Sequence, residues 1–255
     1  MAAVNNGADA VYLGLGDLNA RRSAENFDLA ALAEATRFAH LRNARVYLTA
    51  NVVVLDEELE PALEMIDGAW ACGVDAVIVQ DPGLLRVVRE ALPDVRLHAS
   101  TQIDAMNPET VRALSDMGVQ RVTLARELPP DAIRACASTG VEVEVFVHGA
   151  LCYCYSGQCL MSSMIGRRSA NRGLCAQPCR LAYQLLDAAG SAVQVPGRYL
   201  LSTRDLAGIA HLPELVGAGV SALKIEGRMK SPEYVAVVVG VYRRAHDRAR
   251  VGVDA

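Results

Sequence analysis

The sequence predicts an α/β protein built on a parallel sheet, and two observations carry that prediction. Short apolar segments rich in β-branched residues alternate with amphipathic helical segments over almost the whole chain of 255 residues. Four helical segments end in a glycine followed at once by an apolar residue, in C-G-V, M-G-V, T-G-V and A-G-V. Glycine takes up the left-handed conformation readily, so each one marks a helix stop before a strand. Strands joined by helical crossovers form parallel sheets covered on both faces.

The predicted elements follow in a regular order. Strands are predicted at 10–15, 45–51, 76–80, 96–100, 121–125, 141–147 and 222–226, with 199–202 a candidate eighth. Helices are predicted at 29–41, 57–72, 82–91, 108–117, 130–138, 212–217 and 232–248. A TIM-like (β/α)8 barrel needs eight strands, so one is missing or unrecognised. An open doubly wound sheet is the alternative, but G-L-G-D after the first strand matches its glycine-rich phosphate turn weakly.

One stretch interrupts the alternation. Residues 150–198 contain a cysteine-rich loop and then a predicted β-hairpin, whose strands 183–187 and 192–195 flank A-A-G-S. The length of the chain suits one large domain. We therefore expect residues 1–255 to form a single βα-barrel domain that carries this loop and hairpin as an insertion.

Charge and hydropathy narrow the classes of function. The formal net charge is −4 and the sequence pI is about 5.8, so no global basic field indicates nucleic acid. The cysteine-rich loop is nevertheless locally basic, with Arg167, Arg168, Arg172 and Arg180. These arginines either solvate the loop or contact substrate or phosphate, and both interpretations stay open. No run approaches ~18 uncharged apolar residues, so we expect no membrane span.

Five of the seven cysteines fall in that loop, at positions 152, 154, 159, 175 and 179. Disulfides need an oxidising compartment, and M-A-A-V-N-N-G shows no charged-then-apolar signal segment, so we expect a cytoplasmic protein. Structural zinc usually requires two tight cysteine pairs, and only Cys175 and Cys179 form one. An iron–sulfur cluster accepts looser spacing and is favoured. Cys72 and Cys136 lie in helices, where a thiol packs as a small apolar group.

Every predicted strand ends in polar residues. In a βα barrel those ends converge on the active site. They are Asn51, Gln80, Asp81, Ser100, Thr101, Gln102, Arg126, Glu127, His148, Ser202, Asp205, Glu226 and Arg228. Asp81, Thr101 and Asn107 are better explained as helix caps or turn residues. Glu127 and Glu226 each lie close to an arginine and are either pocket-shaping ion pairs or general bases. His148 is well placed for proton transfer, whereas His98 is predicted to be an interior histidine.

At this point the residues match a known family. The segment E-V-F-V-H-G-A-L-C-Y-C-Y-S-G-Q-C-L-M-S, Glu144–Ser162, resembles the signature of the U32 collagenase-like peptidase family. Further segments resemble that family: N-N-G-A-D-A-V-Y-L-G, L-H-A-S-T-Q, L-A-R-E-L, A-N-R-G-L-C-A-Q-P-C-R and L-K-I-E-G-R-M-K-S-P-E-Y. The resemblance therefore covers nearly the whole chain.

The resemblance implies a cofactor and a reaction. Characterised branches of the family carry a [4Fe-4S] cluster on four cysteines, and Cys152, Cys159 and Cys175 match cluster ligands here. Cys179 is implied as the fourth ligand by a Cys-x3-Cys pairing found in part of the family, with Cys154 an extra thiol. The branches act in oxygen-independent hydroxylation of a tRNA uridine or a 23S rRNA cytidine, and in anaerobic ubiquinone synthesis. Prephenate is implied as a hydroxyl donor, and RNA and a protein of the same family as partners.

The strand-end positions and the basic loop, combined with this reaction, give the residue roles. Glu226, His148 and Glu127 are the predicted proton-transfer residues. The predicted substrate-binding residues are Arg172, Arg180, Arg228, Gln102 and Arg126. Family chains usually begin with a strand resembling P-E-L-L-A-P-A-G and continue into a β-rich domain, and this sequence shows neither. We therefore expect a truncated chain whose barrel lacks its first strand and has an open seam with exposed strand edges.

Two other functions remain as alternatives. A collagenase-like peptidase needs a nucleophile with a base or a metal-bound water. The sequence has no H-E-x-x-H, and Cys154 with His148 is the pair closest in sequence. A non-catalytic subunit that carries the cluster in ubiquinone synthesis is the second alternative.

Overall fold

The computed structural model of the protein describes residues 1–22, 26–227 and 229–253. Within these ranges eight strands form one sheet: β1 Ala10–Gly14, β2 Arg45–Ala50, β3 Ala76–Val79, β4 Leu97–Ala99, β5 Val119–Thr123, β6 Glu142–Ala150, β7 Asp205–Ala207 and β8 Ala222–Ile225. The helices there are α1 Ala2–Asn5, α2 Leu29–His40, α3 Leu59–Ala71, α4 Pro82–Ala91, α5 Pro108–Asp116, α6 Pro130–Ala137, α7 Met161–Gly166, α8 Leu212–Gly217 and α9 Pro232–Val253.

The sheet is parallel apart from one strand. Strands β1 to β6 pair in chain order, and β8 pairs parallel with β6. The short strand β7 pairs antiparallel with the end of β6. The sheet curls until its first and last parallel strands approach each other. The hydroxyl of Tyr12 in β1 lies 3.3 Å from the carbonyl oxygen of Ile225 in β8. Strands that alternate with helices in a curled parallel sheet confirm the predicted TIM-like class.

Most element predictions are confirmed, and two differ from the structure. All seven predicted strands are present, and the seven predicted helices lie within a few residues of their predicted bounds. Residues 199–202 form no strand, and the neighbouring strand is β7, which runs antiparallel. The predicted hairpin is reduced to the single bridge Leu186↔Ala192. No helix in the described ranges combines the length and apolarity needed to cross a membrane.

Local chemistry explains where the helices start. The side chains of Asp28, Asp81 and Asn107 accept hydrogen bonds from the backbone N–H groups of Ala31, Leu84 and Thr110. Each cap satisfies an N–H group that has no partner inside the helix. The capping roles predicted for Asp81 and Asn107 are thus confirmed.

The apolar core lies between the sheet and the surrounding helices. Fully buried side chains of the strands, such as Leu48 and Leu97, pack against Leu32, Ile66 and Leu84 of the helices. A smaller apolar cluster inside the curled sheet contains Tyr47, Ala76 and Ile78. Successive strand residues point to opposite faces of the sheet, and an apolar cluster covers part of each face. The strands are therefore apolar at successive positions.

The barrel is open on one side. In the described part of the chain no backbone ladder joins β1 to β8, and a cavity of about 570 Å³ lies between them. Its walls include Val11 and Tyr12 of β1, Leu223 and Lys224 of β8, and Tyr242 of α9. The predicted open seam between the first and last parallel strands is therefore present.

The interior of the barrel is polar and charged. Lys224 and Glu144 are both buried, with 2.7 Å between Nζ and Oε2, and the Thr123 hydroxyl donates to the same oxygen at 2.8 Å. The Lys224 ammonium also lies 4.6 Å from the ring centroid of Tyr12. His98 is buried nearby, as predicted, and its pKa is lowered to about 4, chiefly by burial. Inward-facing polar residues therefore satisfy one another beneath the mouth of the barrel.

Replacing Lys224 by methionine should lower the free energy of unfolding by about 3–5 kcal/mol, because Glu144 would be left buried without its cation. Burial opposes the charge of Glu144, but Lys224 outweighs it and holds the carboxyl pKa below its ordinary value. A carboxyl group whose pKa is lower in the folded than in the unfolded protein stabilises the fold at pH values above its unfolded pKa. This stabilisation is lost as the pH falls through the folded pKa. Urea unfolding measures the change.

Two variants control this experiment. Lys230 is exposed and lies 3.4 Å from Asp205, so Lys230→Met should change the free energy of unfolding by less than about 1 kcal/mol. Adding Glu144→Leu to Lys224→Met should recover much of the loss, because no unpaired charge then remains buried. A single Lys224→Met variant as stable as the unaltered protein would contradict the buried pair.

Candidate functional site

The cysteine-rich segment leaves the barrel and returns to it at the same place. The long strand β6 continues past the barrel to Ala150, and β7 pairs back on it through Ala150↔Asp205 and His148↔Ala207. We call residues 151–204 the cysteine insert. Both ends of the insert are thereby held at the carboxyl edge of the sheet, where the strand ends converge.

Two glycines let the insert pack closely against the barrel. Gly157 has φ +74°, and a Cβ there would lie 2.0 Å from the carbonyl oxygen of Gln102, just after β4. Gly173 has φ +76°, and a Cβ there would lie 2.2 Å from the carbonyl oxygen of Asn19. Both positions combine positive φ with close backbone contact, which only glycine tolerates. The predicted substrate residue Gln102 thus supports the insert through its backbone.

A buried serine ties the insert to the end of β5. The Oγ atom of Ser156 lies 3.1 and 3.2 Å from the two carboxylate oxygens of Glu127, and 3.2 Å from Nε of Arg126. Ser156 is fully buried. The predicted catalytic residue Glu127 and the predicted substrate residue Arg126 therefore both anchor the insert, and the roles assigned to them from the sequence stay predictions.

The thiols of the insert influence one another electrostatically. Burial raises the pKa of the Cys154 thiol, and the thiols of Cys159 and Cys152 raise it further. The pKa of Cys179 is also raised by burial; the Arg180 guanidinium opposes that shift, and the thiols of Cys152, Cys175 and Cys159 add to it. Thiols influence one another in this way when they lie near one another. The assignment of Cys152, Cys159, Cys175 and Cys179 as cluster ligands stays a prediction.

The donors that the insert offers are thiols, the ligand type of an iron–sulfur cluster. In the described ranges no three cysteine, histidine or carboxylate side chains converge closely enough to hold one ion. A cluster binds thiolates that stand further apart. The backbone N–H of Gln177 also donates to Sγ of Cys175 at 3.4 Å, a type of contact that tunes cluster sulfurs. By contrast, Cys136 is buried in the apolar core, as predicted, and Cys72 is half-buried at the end of α3.

Two predicted anion-binding arginines already have partners. Arg172 forms a two-pronged ion pair with Glu58 and donates to the carbonyl oxygen of Val53 at 2.9 Å. The hydrogen bond from Arg172 is the main reason that the pKa of Glu58 falls to about 2. Among the described residues, Arg180 donates to neutral oxygens, those of Leu151, Ser202 and Thr203. Arg172 therefore acts as a tether for the insert, whereas no carboxylate of the described residues pairs with Arg180.

Glu226 follows β8, and one of its two carboxylate oxygens has no hydrogen bond among the described residues. Its Oε2 atom lies 3.2 Å from the hydroxyl of Tyr12 and 3.7 Å from Nη2 of Arg21. Its Oε1 atom is buried and has no hydrogen-bond partner among the described residues. A buried acceptor without a partner is costly unless a ligand supplies the donor. Glu226 is therefore the predicted catalytic residue whose geometry best suits a bound substrate.

His148 faces a different part of the molecule. Phe146 pairs with Lys224 and His148 with Ile225, so a bulge at Val147 turns His148 towards α9. The hydroxyl of Tyr242 donates to the carbonyl oxygen of Val147, so Nδ1 of His148 must donate to Tyr242, at 3.2 Å. Nε2 then accepts from Tyr234, at 2.9 Å. Both ring nitrogens are occupied, and the proton-transfer role predicted for His148 gains no geometric support.

The remaining predicted residue, Arg228, lies outside the described residues.

The structure adds three residues to the site for which the sequence offered only a weak signal. Ser156 stands between cysteines of the insert, and Tyr12 lies on the inward face of β1. Glu58 begins a helical segment, where a carboxylate is ordinarily explained as a cap. Their partners lie 29, 214 and 114 residues away along the chain, which is why local patterns did not reveal them.

Comparisons with known proteins agree with this architecture. A family model described as peptidase family U32 matches residues 1–254. An Escherichia coli 23S rRNA 5-hydroxycytidine synthase is 45% identical over 246 residues, covering 96% of this chain and 37% of that protein. A tRNA hydroxylation protein from Bacillus subtilis is 38% identical, and a collagenase from Porphyromonas gingivalis 37%; each match covers 96% of this chain, and 60% and 62% of those proteins.

One solved structure supports the fold. A U32 peptidase aligns with a TM-score of 0.53 at 15% sequence identity, covering 87% of this chain and 86% of that one. The chain spans between 37% and 62% of the length of the three relatives named above.

Gly157→Ala should release the insert from the barrel, because the new methyl group overlaps the carbonyl oxygen of Gln102. We expect the free energy of unfolding to fall by about 1–3 kcal/mol more than the cost of placing alanine at positive φ. The thiols of the insert should also react faster with a thiol reagent. Gly190→Ala is the matched control, since Gly190 has φ +82° and nothing within 4 Å. Equal effects of the two substitutions would show that φ alone matters and would contradict the docking.

Glu58→Gln should weaken the tether to Arg172 and lower the free energy of unfolding at neutral pH by about 1 kcal/mol, since the pair is partly exposed. The pKa of Glu58 in the folded protein is lowered to about 2 from an ordinary value of 4.5. The ion pair therefore stabilises the fold fully above about pH 4.5, and this stabilisation declines as the pH falls towards 2. Glu109→Gln removes an exposed helical pair with Arg112 and should cost less than about 0.5 kcal/mol. A pH-independent difference between Glu58→Gln and the unaltered protein would argue against the tether.

Proposed function

Because this chain belongs to peptidase family U32, we propose that it forms the barrel of an iron–sulfur-dependent, oxygen-independent enzyme that hydroxylates a pyrimidine of tRNA or rRNA. One observation carries the proposal: the cysteine insert leaves and rejoins the sheet at the barrel mouth, and there Glu226 keeps a buried oxygen without a partner among the described residues. The relatives named for rRNA and tRNA hydroxylation support RNA as the substrate class. An RNA-modifying protein would work in the cytoplasm, in contact with RNA and with any partner of its own family.

Cys152, Cys159, Cys175 and Cys179 would hold a [4Fe-4S] cluster. When bound, such a cluster supplies one-electron transfer close to the substrate. Replacing C–H by C–OH removes two electrons from the base, so the reaction needs a partner that takes them up. Prephenate is the hydroxyl donor that the resemblance implies.

The residues of the chain have separate tasks in this account. Oε1 of Glu226 accepts the proton that leaves the hydroxylated carbon, or a hydrogen bond from the base. The Tyr12 hydroxyl holds the other oxygen of that carboxylate and keeps its own proton, because burial and then Glu226 raise the pKa of Tyr12. Arg180, which follows Cys179, and Arg126, which contacts Ser156 of the insert, hold the anionic parts of the substrate or donor. The cysteine insert covers the mouth and limits the access of water.

Proteolysis is the second candidate, because one relative is named as a collagenase. A cysteine or serine peptidase needs a nucleophile whose base is free to take a proton. His148 already uses both ring nitrogens, and Ser156 is fully buried against Glu127. The geometry therefore favours hydroxylation over proteolysis. The orphaned oxygen of Glu226 likewise favours a catalytic chain over a subunit that only carries a cluster.

Nucleoside analysis of cellular RNA tests the proposal. Cells that make this protein should contain a hydroxylated cytidine or uridine that is missing from cells without it. Glu226→Gln should reduce the rate of product formation about 10²–10⁴-fold, because the proton acceptor is removed, while the iron and sulfide contents stay unchanged. Glu90→Gln on the exposed face of α4 is the matched control. Full product from Glu226→Gln, or protease activity without RNA product, would contradict the proposal.

A further inference from the structure

The cysteine insert has a charge opposite to that of the rest of the molecule. Residues 151–204 contain six arginines and one acidic residue, Asp187, for a formal charge of +5. The whole chain carries −4, so the remainder carries −9. An even distribution would make the insert slightly acidic. The positive charge is therefore concentrated on the segment that covers the barrel mouth.

Most of these arginines keep their charge uncompensated. In the described ranges only Arg172 of the insert pairs with a carboxylate, that of Glu58. Arg168 donates to the carbonyl oxygen of Leu174, and Arg198 lies 5.5 Å from the ring centroid of Tyr199. The guanidinium groups that have no carboxylate partner in the described part of the chain are those of Arg167, Arg168, Arg180, Arg198 and Arg204. A surface of this kind attracts a polyanion.

Exposed aromatic rings accompany this charge. Tyr153 and Tyr155 flank Cys154, and their exposures are 56% and 59%. Tyr199 is exposed to 56%. Three exposed tyrosines among 54 residues contrast with the barrel, where Tyr12, Tyr47 and Tyr242 are buried or half-buried. Rings that do not fill a core are available for stacking.

One of these arginines, Arg180, lies close to the segment that carries Tyr153. Arg180 donates to the carbonyl oxygens of Leu151 and Thr203, which joins the start of the insert to its end. The Thr203 hydroxyl donates to the same Leu151 oxygen at 2.8 Å. Tyr153 is therefore two residues from a point where uncompensated positive charge is fixed. It is also adjacent to Cys152 and Cys154, at the mouth of the barrel.

We propose that the exposed tyrosines and uncompensated arginines of the cysteine insert bind an unpaired stretch of RNA, with Tyr153 and Tyr155 stacking on bases beside the cysteines. The inference rests on the proposed function and names the surface that receives its substrate. A base must leave its stack before an enzyme reaches it, and aromatic side chains with arginines are the usual receptors for unstacked bases. The exposed apolar residues Met164 and Ile165 would also suit a protein, but excess positive charge favours a polyanion.

Fluorescence anisotropy with a short single-stranded oligoribonucleotide of mixed sequence tests the inference on the cluster-loaded chain. Tyr153→Leu should weaken binding roughly 5- to 150-fold, the range expected for loss of one stacked base. Tyr153→Phe keeps the ring and should bind within about twofold of the unaltered protein. Iron content measured on both variants confirms that the cysteine site is intact. Equal affinities of the leucine and phenylalanine variants would overturn the inference.

The salt dependence of binding tests the arginines separately. The double variant Arg167→Gln, Arg168→Gln should reduce the slope of log affinity against log salt by about 0.7 per lost contact. The matched control is Arg86→Gln, Arg112→Gln, on the exposed faces of α4 and α5, where the slope should not change. An unchanged slope in the first variant, or tighter binding of a fully paired duplex than of the single strand, would overturn the inference.

The outcomes separate this inference from the function on which it rests. If Tyr153→Leu binds and hydroxylates RNA as the unaltered protein does, the inference fails and the proposed function stands. If RNA binding depends on Tyr153 but no hydroxylated nucleoside forms, the proposed function fails and the RNA surface stands. If these variants disrupt a complex with a protein and leave RNA binding unchanged, the surface is a protein-docking site and the inference is overturned.

Discussion

The antiparallel return of β7 onto the end of β6 is the constraint on which the site depends. It holds both ends of the 54-residue cysteine insert at one point of the sheet edge. An insert fixed at a single point could still swing, and three further contacts prevent that: Gly157 against Gln102, Ser156 against Glu127, and Arg172 against Glu58. These contacts reach the ends of different strands. The fold itself thereby holds the cysteine insert at the barrel mouth.

Inside the barrel, a series of polar contacts leads from a buried ion pair to the mouth. The buried pair of Lys224 and Glu144 fixes the ammonium against the ring of Tyr12. The hydroxyl of Tyr12 in turn orients the carboxylate of Glu226, whose second oxygen has no partner among the described residues. A polar interior of this kind is less stabilising than an apolar one. Its retention is understandable if the same residues position a reacting group, and the open seam between β1 and β8 adds to the cost.

The sequence was sufficient for the fold because period-2 and period-3.6 patterns with glycine stops are local signals. The strand at 199–202 was wrong because an apolar run of four residues does not distinguish a strand from an extended loop. The cluster ligands stay a prediction, and the contacts of the residues around the cysteines could not be predicted. Arg172 and Glu127 are engaged by residues distant in sequence, and a one-residue bulge turned His148 to the opposite face. Strand-end position alone does not reveal such contacts.

The central claim is that Cys152, Cys159, Cys175 and Cys179 hold an iron–sulfur cluster, and anaerobic purification with iron and sulfide analysis tests it most directly. The account predicts about four irons and four sulfides per chain, lost when any one of these cysteines is replaced by alanine. Replacing Cys72 or Cys154 should leave both contents unchanged. Bound zinc, no metal, or a cluster that survives the loss of Cys179 but not of Cys154 would contradict this assignment.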